Sequence, residues 1–195
     1  RSTLQRLVLS ESDRLSRLLN EFLDFSVMRL SAKARVDFTG VVRQAIALVK
    51  QHPDCDTGIR FDEAGLEGRL ILPGDPDLLH RLVFNLILNA VQFSDADGTV
   101  QISVENRADE DPLPGSTVSQ PMYFSVQDSG PGIPPEDVGR IFAPFFTTRK
   151  GGSGLGLAVV HRAVEAHGGA VYAEEVDGGG TRFVVLLPGT DVAAE

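Results

Sequence analysis

The sequence predicts an α+β two-layer sandwich, in which helices cover one face of a mixed, mostly antiparallel sheet, preceded by one long bundle helix. Three observations support this class. Apolar residues repeat at helical spacing over residues 3–28, strand-like and helix-like segments alternate after residue 39, and a glycine-rich hairpin follows. The expected units are a helical segment at 1–31, one domain at 32–190 and a tail at 191–195.

The leading segment has an apolar stripe that is broad enough for a helix bundle. Its steps alternate between three and four residues, Glu11 interrupts it, and further leucines widen it. We favour packing against another helix or subunit, while packing on its own domain remains an alternative. The stripe consists of Leu4, Val8, Leu15, Leu18, Phe22 and Phe25, widened by Leu7, Leu19 and Leu23.

The next part of the chain predicts one helix and two short strands. Thr39 is placed to cap a helix from Val41 to Lys50, and Pro53 follows the helix end. The segments expected on either side are a polar hinge at 31–35, strands at Ile59–Glu63 and Arg69–Leu72 around a glycine-containing turn, and a turn at 73–75.

The second half of the domain alternates more regularly. Asp75 and Pro76 are the N-cap and first residue of a helix that runs to about Phe93, and Gly168 is placed to end a helix at 155–167. The other expected elements are a strand at Thr99–Glu105, a flexible loop at Asn106–Pro121, a strand at Met122–Gln127, a short helix beginning at Ile133–Glu136, and a hairpin of Ala170–Glu174 with Arg182–Leu187.

Composition limits the classes of partner. The net charge of −9 argues against nucleic acid and anionic membranes as partners of this chain. The single Cys55 excludes an internal disulfide, and no apolar run approaches the roughly 18 residues of a membrane span. A free thiol suits the cytoplasm, and a chain that starts at Arg is expected to be a piece of a longer protein, whose other parts are free to include a membrane anchor.

A pair of asparagines lies on one face of the helix that ends near Phe93. Asn85 and Asn89 are four residues apart, and Gln92 and Phe93 continue their face. The helix is otherwise apolar almost all round, and an unpaired buried amide costs about 1–3 kcal/mol. The pattern indicates partners on that face, which are either a structural amide network or a ligand.

A turn with the sequence Asp-Ser-Gly-Pro-Gly-Ile follows a predicted strand at Asp128–Ile133. A carboxylate at a strand end can accept a hydrogen bond from an exocyclic amine. Gly130 and Gly132 permit a positive φ and a close approach of the backbone. Taken alone, the pattern is a weak signal, because it often marks a bare turn.

Two more segments precede the helix at 155–167. An aromatic cluster at Ile141–Phe146 suits core packing, and the polar residues after it include cations that suit phosphate oxygens or a solvated surface: Thr147, Thr148, Arg149 and Lys150. The second segment leaves backbone N–H groups free at the positive end of a helix, which is an anion site, and consists of Gly152, Ser153, Gly154, Leu155, Gly156 and Leu157.

In this order the four segments resemble the motifs of the ATP-binding domain of sensor histidine kinases, over about residues 35–188. That domain has the Bergerat-type fold, which DNA gyrase, a heat-shock chaperone and a mismatch-repair ATPase share. The short segment at 147–151 is similar to the short lid of the nitrogen-regulation class. The resemblance implies that ATP or ADP binds together with Mg²⁺.

The resemblance also implies roles for single residues. Asn89 would hold Mg²⁺, and Asp128 would bind the adenine amino group, so that adenine is preferred to guanine. Asn85 stands where hydrolytic members have a glutamate, and an amide is no general base at neutral pH. Asn85 and Asn89 are thus the expected catalytic residues of phosphotransfer. The remaining expected nucleotide contacts are Gln92, Phe93, Gly130, Gly132, Ile133, Thr147, Thr148, Arg149, Lys150, the segment 152–157 and Thr181.

No histidine of this chain has the context of the family's phosphoacceptor, which lies on a bundle helix before an acidic residue; this holds for His52, His80, His161 and His167. Residues 3–28 resemble the second half of the dimerisation hairpin. The implied partners are the dimerisation domain of a homodimeric parent and, indirectly, a response regulator.

Three other functions are compatible with the same fold. An anti-sigma-type serine kinase would lack the hairpin-like leading helix, and a nucleotide-gated conformational ATPase would need a base at Asn85. A binding module without transfer activity would not need the asparagine and glycine motifs intact.

Overall fold

The computed structural model describes residues 33–55, 58–106 and 121–189, together with eleven separate positions between residues 5 and 26. The continuous ranges contain seven strands and three helices. They are β1 (Ala34–Asp37), α1 (Phe38–Val49), β2 (Arg60–Ala64), β3 (Ile71–Gly74), α2 (Pro76–Phe93), β4 (Thr99–Asn106), β5 (Pro121–Gln127), α3 (Gly156–Ala166), β6 (Ala170–Glu175) and β7 (Thr181–Pro188).

Five strands form the main sheet, in the order β2-β4-β5-β7-β6. The β2–β4 pair is parallel and the other three pairs are antiparallel. A second, two-stranded sheet pairs β1 with β3. The predicted mixed, mostly antiparallel sheet is therefore confirmed.

The helices cover one face of the main sheet. Alternate residues of β5 separate the two faces, because Phe124 and Val126 lie in the main core with the helices, whereas Tyr123 packs with Val184 and Leu186 in a small cluster on the other face. Helix α2 contacts both α1 and α3. The two-layer arrangement follows from this one-sided burial.

Helix α1 begins three residues before its predicted start at Val41, and its N-cap is Asp37, not Thr39. The carboxylate of Asp37 accepts hydrogen bonds from the backbone N–H of Gly40 and from the Thr39 hydroxyl. The Gly40 N–H, more than any other group, holds the pKa of Asp37 below its ordinary value. A carboxylate two residues upstream therefore takes the capping role predicted for Thr39.

The polar hinge predicted at 31–35 is partly wrong, because its last two residues belong to β1. The two predicted strands that follow are real but shifted, and they belong to different sheets: β2 pairs with β4, and β3 pairs with β1. Pro73 and Gly74, predicted as a turn, belong to β3. Strand partners are set by distant segments, which a local pattern does not contain.

The short helix predicted to begin at Ile133–Glu136 is absent. Residues 134–146 instead form successive turns with backbone bonds between residues three apart, from Asp137 to Pro134, from Arg140 to Asp137 and from Ala143 to Arg140. Other predicted elements are confirmed: α2 with its cap Asp75, α3, strands β4 and β5, and the hairpin of β6 with β7. Gly168 follows α3 with φ +69°, as expected for a helix end.

The predicted leading helix is described only at separate positions, all of which are helical and exposed. Phe22 is one of them, and its ring stacks on that of Phe145 with 5.9 Å between centroids. The loop predicted at Asn106–Pro121 lies largely outside the described residues, as does the tail from 190 onward. Among the described helices, none combines the length and apolar character that a membrane crossing needs.

Buried His167 links the end of α3 to the start of α2. Its Nε2 accepts the backbone N–H of Asp75 at 3.0 Å, and its Nδ1 lies 2.6 Å from the carbonyl oxygen of Ala163. Because Nε2 accepts, the imidazole is neutral and its proton is on Nδ1. A Cβ on Gly74 would lie 2.9 Å from Nε2, so the joint leaves no room for a larger residue.

We predict that His167→Ala lowers the free energy of unfolding by about 1–3 kcal/mol, because the Asp75 N–H loses the imidazole acceptor and the Ala163 carbonyl keeps only its longer backbone bond. Urea denaturation would measure the loss. His161→Ala, on the same helix but with a side chain 44% exposed, is the control and should change stability by less than about 0.5 kcal/mol. Equal effects of the two substitutions would show that His167 does not join the helices.

Candidate functional site

A cavity of ≈ 480 Å³ opens between α2, the turn after β5, the segment 146–152 and the start of α3. Seventeen of the nineteen predicted site residues line it. They are Asn85, Asn89, Gln92, Phe93, Asp128, Gly132, Ile133, Thr147, Thr148, Arg149, Gly152, Ser153, Gly154, Leu155, Gly156, Leu157 and Thr181. Gly130 and Lys150 do not line it.

Helix α2 forms one wall of the cavity with its half-buried edge. Leucine, isoleucine and valine side chains bury the other faces of α2, which leaves Asn85, Asn89 and Gln92 along the edge. The amide nitrogen of Asn85 donates to the Arg81 carbonyl at 2.8 Å. The amide oxygen is thereby turned the other way, and a Cβ on Gly156 would lie 3.2 Å from it.

Asp128 lies at the end of β5 with only 3% of its surface exposed. Its Oδ1 accepts the backbone N–H groups of Gly130 at 2.9 Å and of Thr181 at 3.1 Å. Burial raises the pKa of Asp128, and these two hydrogen bonds oppose that rise. The other carboxylate oxygen of Asp128, Oδ2, has no hydrogen-bond donor among the described residues. Asp128 also lines the cavity.

The two glycines of the Asp128 turn serve different purposes. Gly132 has φ +82°, a conformation that suits glycine. Gly130 has an ordinary φ but lies against the end of α2, where a Cβ would be 2.0 Å from the Phe93 carbonyl oxygen. Gly130 therefore brings the turn close to α2 without lining the cavity itself.

The glycine-rich segment ends at the N-terminus of α3. The N-cap residue is Leu155, and no side chain caps the helix, so the first N–H groups are not blocked by a cap. Gly154 has φ +69°, its carbonyl accepts the Phe145 N–H, and a Cβ there would lie 2.4 Å from the Phe145 carbonyl carbon. Phe145 itself has φ +66°, which is rare for a bulky residue. This tight contact fixes where the lid segment leaves the core.

The segment that resembles a short lid, residues 147–151 and here named the lid, is held at both ends of a short turn. The Arg149 N–H donates to the Thr147 hydroxyl at 3.1 Å, and the Gly152 N–H donates to the Arg149 carbonyl at 3.2 Å. The Arg149 guanidinium donates to Asp54 at 3.0 Å. One of the two predicted phosphate-binding cations therefore reaches the cavity and already has a carboxylate partner.

The sequence did not reveal several residues of the cavity. Asp54 and His52 come from the loop after α1, which contains no recognisable motif. Spacing on α2 was the one available signal, because Arg81 and Leu88 lie one turn from Asn85 and Phe84 adjoins it. The other unpredicted lining residues are Pro131, Pro134, Asp137, Ile141, Phe146, Gly151, Val159 and Phe183.

The cavity offers amide oxygens as metal ligands, and the described residues form no preformed cluster of charged or imidazole ligands. No group of three or more histidine, cysteine or acidic side chains that would hold a metal occurs among the described residues. The amide oxygens of Asn85 and Asn89 suit Mg²⁺ that keeps water and phosphate ligands, which is how this ion usually binds beside nucleotides. The residues therefore fit Mg²⁺ that arrives with a phosphorylated ligand.

Curated relatives are sensor histidine kinases. The chain is 34% identical over 186 residues to the sensor histidine kinase ZraS of Escherichia coli O157:H7, covering 95% of this chain and 38% of ZraS. It is 28% identical over 200 residues to WalK of Bacillus subtilis, covering 92% of this chain and 29% of WalK. The chain thus spans well under half of the length of these relatives.

Two solved structures illustrate the similarity of fold. Full-length ShkA in complex with AMPPNP is 29% identical with a TM-score of 0.74, covering 100% of this chain and 40% of ShkA. The mycobacterial sensor histidine kinase MprB is 29% identical with a TM-score of 0.66, covering 81% of this chain and 98% of the MprB chain.

The sequence profile described as "Histidine kinase-, DNA gyrase B-, and HSP90-like ATPase" matches residues 74–191. This range begins just before α2 and includes the asparagine edge, the Asp128 turn, the lid and the glycine-rich segment. The chain therefore belongs to the family of histidine kinase-, DNA gyrase B- and HSP90-like ATPases, as an ATP-binding catalytic domain of the sensor histidine kinase type.

Proposed function

We propose that this domain binds Mg-ATP in the cavity and donates the terminal phosphate to a histidine on the dimerisation domain of its parent kinase. The observation that carries the proposal is the convergence of four separate motifs on one cavity, with Asp128 at one side and the start of α3 at another. This arrangement offers a base-recognising carboxylate and an anion site within a single cavity.

The adenine end is assigned to Asp128. Its Oδ1 is occupied by two backbone donors, so Oδ2 is the oxygen that remains to accept the exocyclic amine of adenine. Guanine presents a carbonyl at the corresponding position, which would face a carboxylate oxygen without a proton between them. The same side chain thus recognises the base and ties β7 to the turn.

The phosphate end is assigned to the start of α3 and to the lid. Uncapped N–H groups at a helix N-terminus bind anions, and Gly156 and Leu157 bring the first of them to the cavity. Of the lid cations, Arg149 reaches the cavity and Lys150 does not line it. We therefore assign the phosphate contact to Arg149.

Asn85 and Asn89 are assigned to Mg²⁺ and to the reacting phosphate. When bound, Mg²⁺ supplies charge neutralisation for the triphosphate, and Asn89 would hold it through its amide oxygen. Asn85 cannot take a proton from water at neutral pH, so the site favours transfer to a protein side chain over hydrolysis. This choice of residue also argues against the conformational ATPase alternative.

The histidine that accepts the phosphate is expected outside the domain at 32–190. Buried His167 has both ring nitrogens engaged, and His161 packs against Phe142. His52 and His80 both contact the Phe84 ring. A parent homodimer that presents a dimerisation helix to the cavity, and then passes phosphate to a response regulator, accounts for the partners proposed here.

Adenine recognition predicts the effect of Asp128→Asn. The amide keeps an oxygen for Gly130 and Thr181 but presents a donor where the adenine amine also donates. Losing a charge-assisted bond of about 1.5–3 kcal/mol should weaken ATP binding by about one to two orders of magnitude. Calorimetric titration with ATP and GTP measures both the loss and the preference of the wild type.

Asp62→Asn, on exposed β2, removes an equal charge and serves as the matched control. A collapse of thermal stability in Asp128→Asn would mean that Asp128 is mainly structural. Equal affinities of the wild type for ATP and GTP would contradict adenine recognition.

Metal binding predicts that Asn89→Ala weakens ATP binding more in the presence of Mg²⁺ than in a chelator. The lost amide oxygen matters only when a metal needs it, so the ratio of wild-type to variant affinity should fall when Mg²⁺ is removed. Titrations of both proteins under both conditions give this ratio. The same loss with and without metal would identify Asn89 as a packing amide.

Phosphotransfer predicts that this chain, incubated alone with labelled ATP, releases little phosphate and forms no stable phosphohistidine. Addition of the parent's dimerisation segment should label a histidine there. Asn85→Glu should introduce weak ATPase activity if its carboxylate reaches a water at the terminal phosphate. Rapid hydrolysis by the wild type, or acid-labile label on a histidine of this chain, would contradict the proposed function.

A further inference from the structure

Asp54 lies on the cavity wall outside all four motifs. It belongs to the loop after α1, and it faces the lid across the mouth of the cavity, where its Oδ2 accepts the Arg149 guanidinium at 3.0 Å. The same oxygen accepts the Gln92 side-chain amide of α2 at 2.7 Å. One carboxylate oxygen therefore connects the loop, α2 and the lid.

This carboxylate is charged under ordinary conditions. Burial alone would raise the pKa of Asp54, but hydrogen bonds from Arg149 and Gln92 outweigh it and hold the pKa below its usual value. The two paired side chains remain 32% and 36% exposed. An ion pair in that setting is weak enough to exchange partners.

Arg149 is built for such an exchange. Its backbone is fixed at both sides by Thr147 and Gly152, whereas its long side chain is held only at its end, by Asp54. One terminal nitrogen is engaged by Asp54, and no partner of its other nitrogens occurs in the described part of the chain. Phosphate offers the guanidinium the same planar, bidentate recognition as a carboxylate, with more charge.

We propose that Asp54 lowers the affinity for phosphorylated nucleotides, because it holds the Arg149 guanidinium and the nucleotide phosphates must compete with it for that group. The inference rests on the proposed function and adds a residue to it. Gln92 keeps Asp54 in place when Arg149 leaves, so the pair can re-form after the nucleotide dissociates.

The competition is tested by ATP titration of Asp54→Asn. ATP should bind about two- to fivefold tighter, which corresponds to the strength of an exposed ion pair, whereas adenosine should bind unchanged. In an Arg149→Gln background, Asp54→Asn should change ATP affinity by less than about twofold, because the shared cation is missing.

Asp137→Asn is the matched control for simple charge repulsion, since Asp137 lines the same cavity and its removal leaves the Arg149 pair intact. Its effect on ATP affinity should be smaller than that of Asp54→Asn. The proposed competition for Arg149 would be overturned if the two variants had equal effects or if Asp54→Asn bound ATP more weakly. It would also be overturned if Asp54→Asn gained as much affinity for adenosine as for ATP.

Trypsin digestion without added nucleotide tests the ion pair of Asp54 with Arg149 independently of ATP binding. Trypsin must take the Arg149 cation into its own acidic pocket to cut after that residue, so Asp54→Asn should be cut faster after Arg149, the residue that Asp54 holds. Asp137→Asn should be cut as the wild type is. Unchanged cleavage of Asp54→Asn would overturn the pair. If the wild type binds no ATP, the proposed function is wrong, and so is the competition between Asp54 and phosphate. The digestion would still show whether Asp54 holds Arg149 in the absence of nucleotide.

Discussion

The two-sided burial of α2 is the constraint on which the site depends. Its leucine, isoleucine and valine side chains are fixed by the sheet and by α1 and α3, so the helix cannot rotate without exposing them. The narrow edge that remains carries Asn85, Asn89 and Gln92 into the cavity. The packing of the apolar faces thereby fixes the position of these three polar side chains, which contribute little to stability themselves.

Asp128 joins two further parts of the site to this frame. Its Oδ1 bonds to Gly130 hold the turn against α2, and its bond to Thr181 holds the start of β7. Burial raises its pKa, so the fold bears a cost for keeping a carboxylate there. The proposed adenine contact depends on this buried carboxylate and on its one oxygen that no backbone group engages.

The lid differs from helix α2 and from the Asp128 turn, because only weak and local interactions hold it. A hydroxyl, one turn bond and an exposed ion pair fix Thr147–Gly152, while the base of the lid is locked by the close packing of Phe145 against Gly154. A locked base with a weakly held tip allows local opening without loss of the core. Phe22 stacks on Phe145 at this same base, so the leading helix contacts the chain where the lid begins.

The sequence alone determined the elements with strong local signals. The Asp75–Pro76 start of α2, the glycine end of α3 and the final hairpin were readable because capping and turn chemistry act over a few residues. The motifs likewise predicted most of the cavity lining, since each motif carries its own backbone or side-chain chemistry. By contrast, the Asp37 cap and the turns at 134–146 depended on which of several competing local bonds won.

Only the tertiary structure decided the partners of distant segments. It placed β2 and β3 in different sheets, and it brought Asp54 from a loop without a motif to Gln92 and Arg149. Asp54 and Arg149 are 95 residues apart, and no periodicity or spacing connects them. Such contacts arise from how layers pack and where loops end in space, whereas sequence patterns record only the forces that act between near neighbours along the chain.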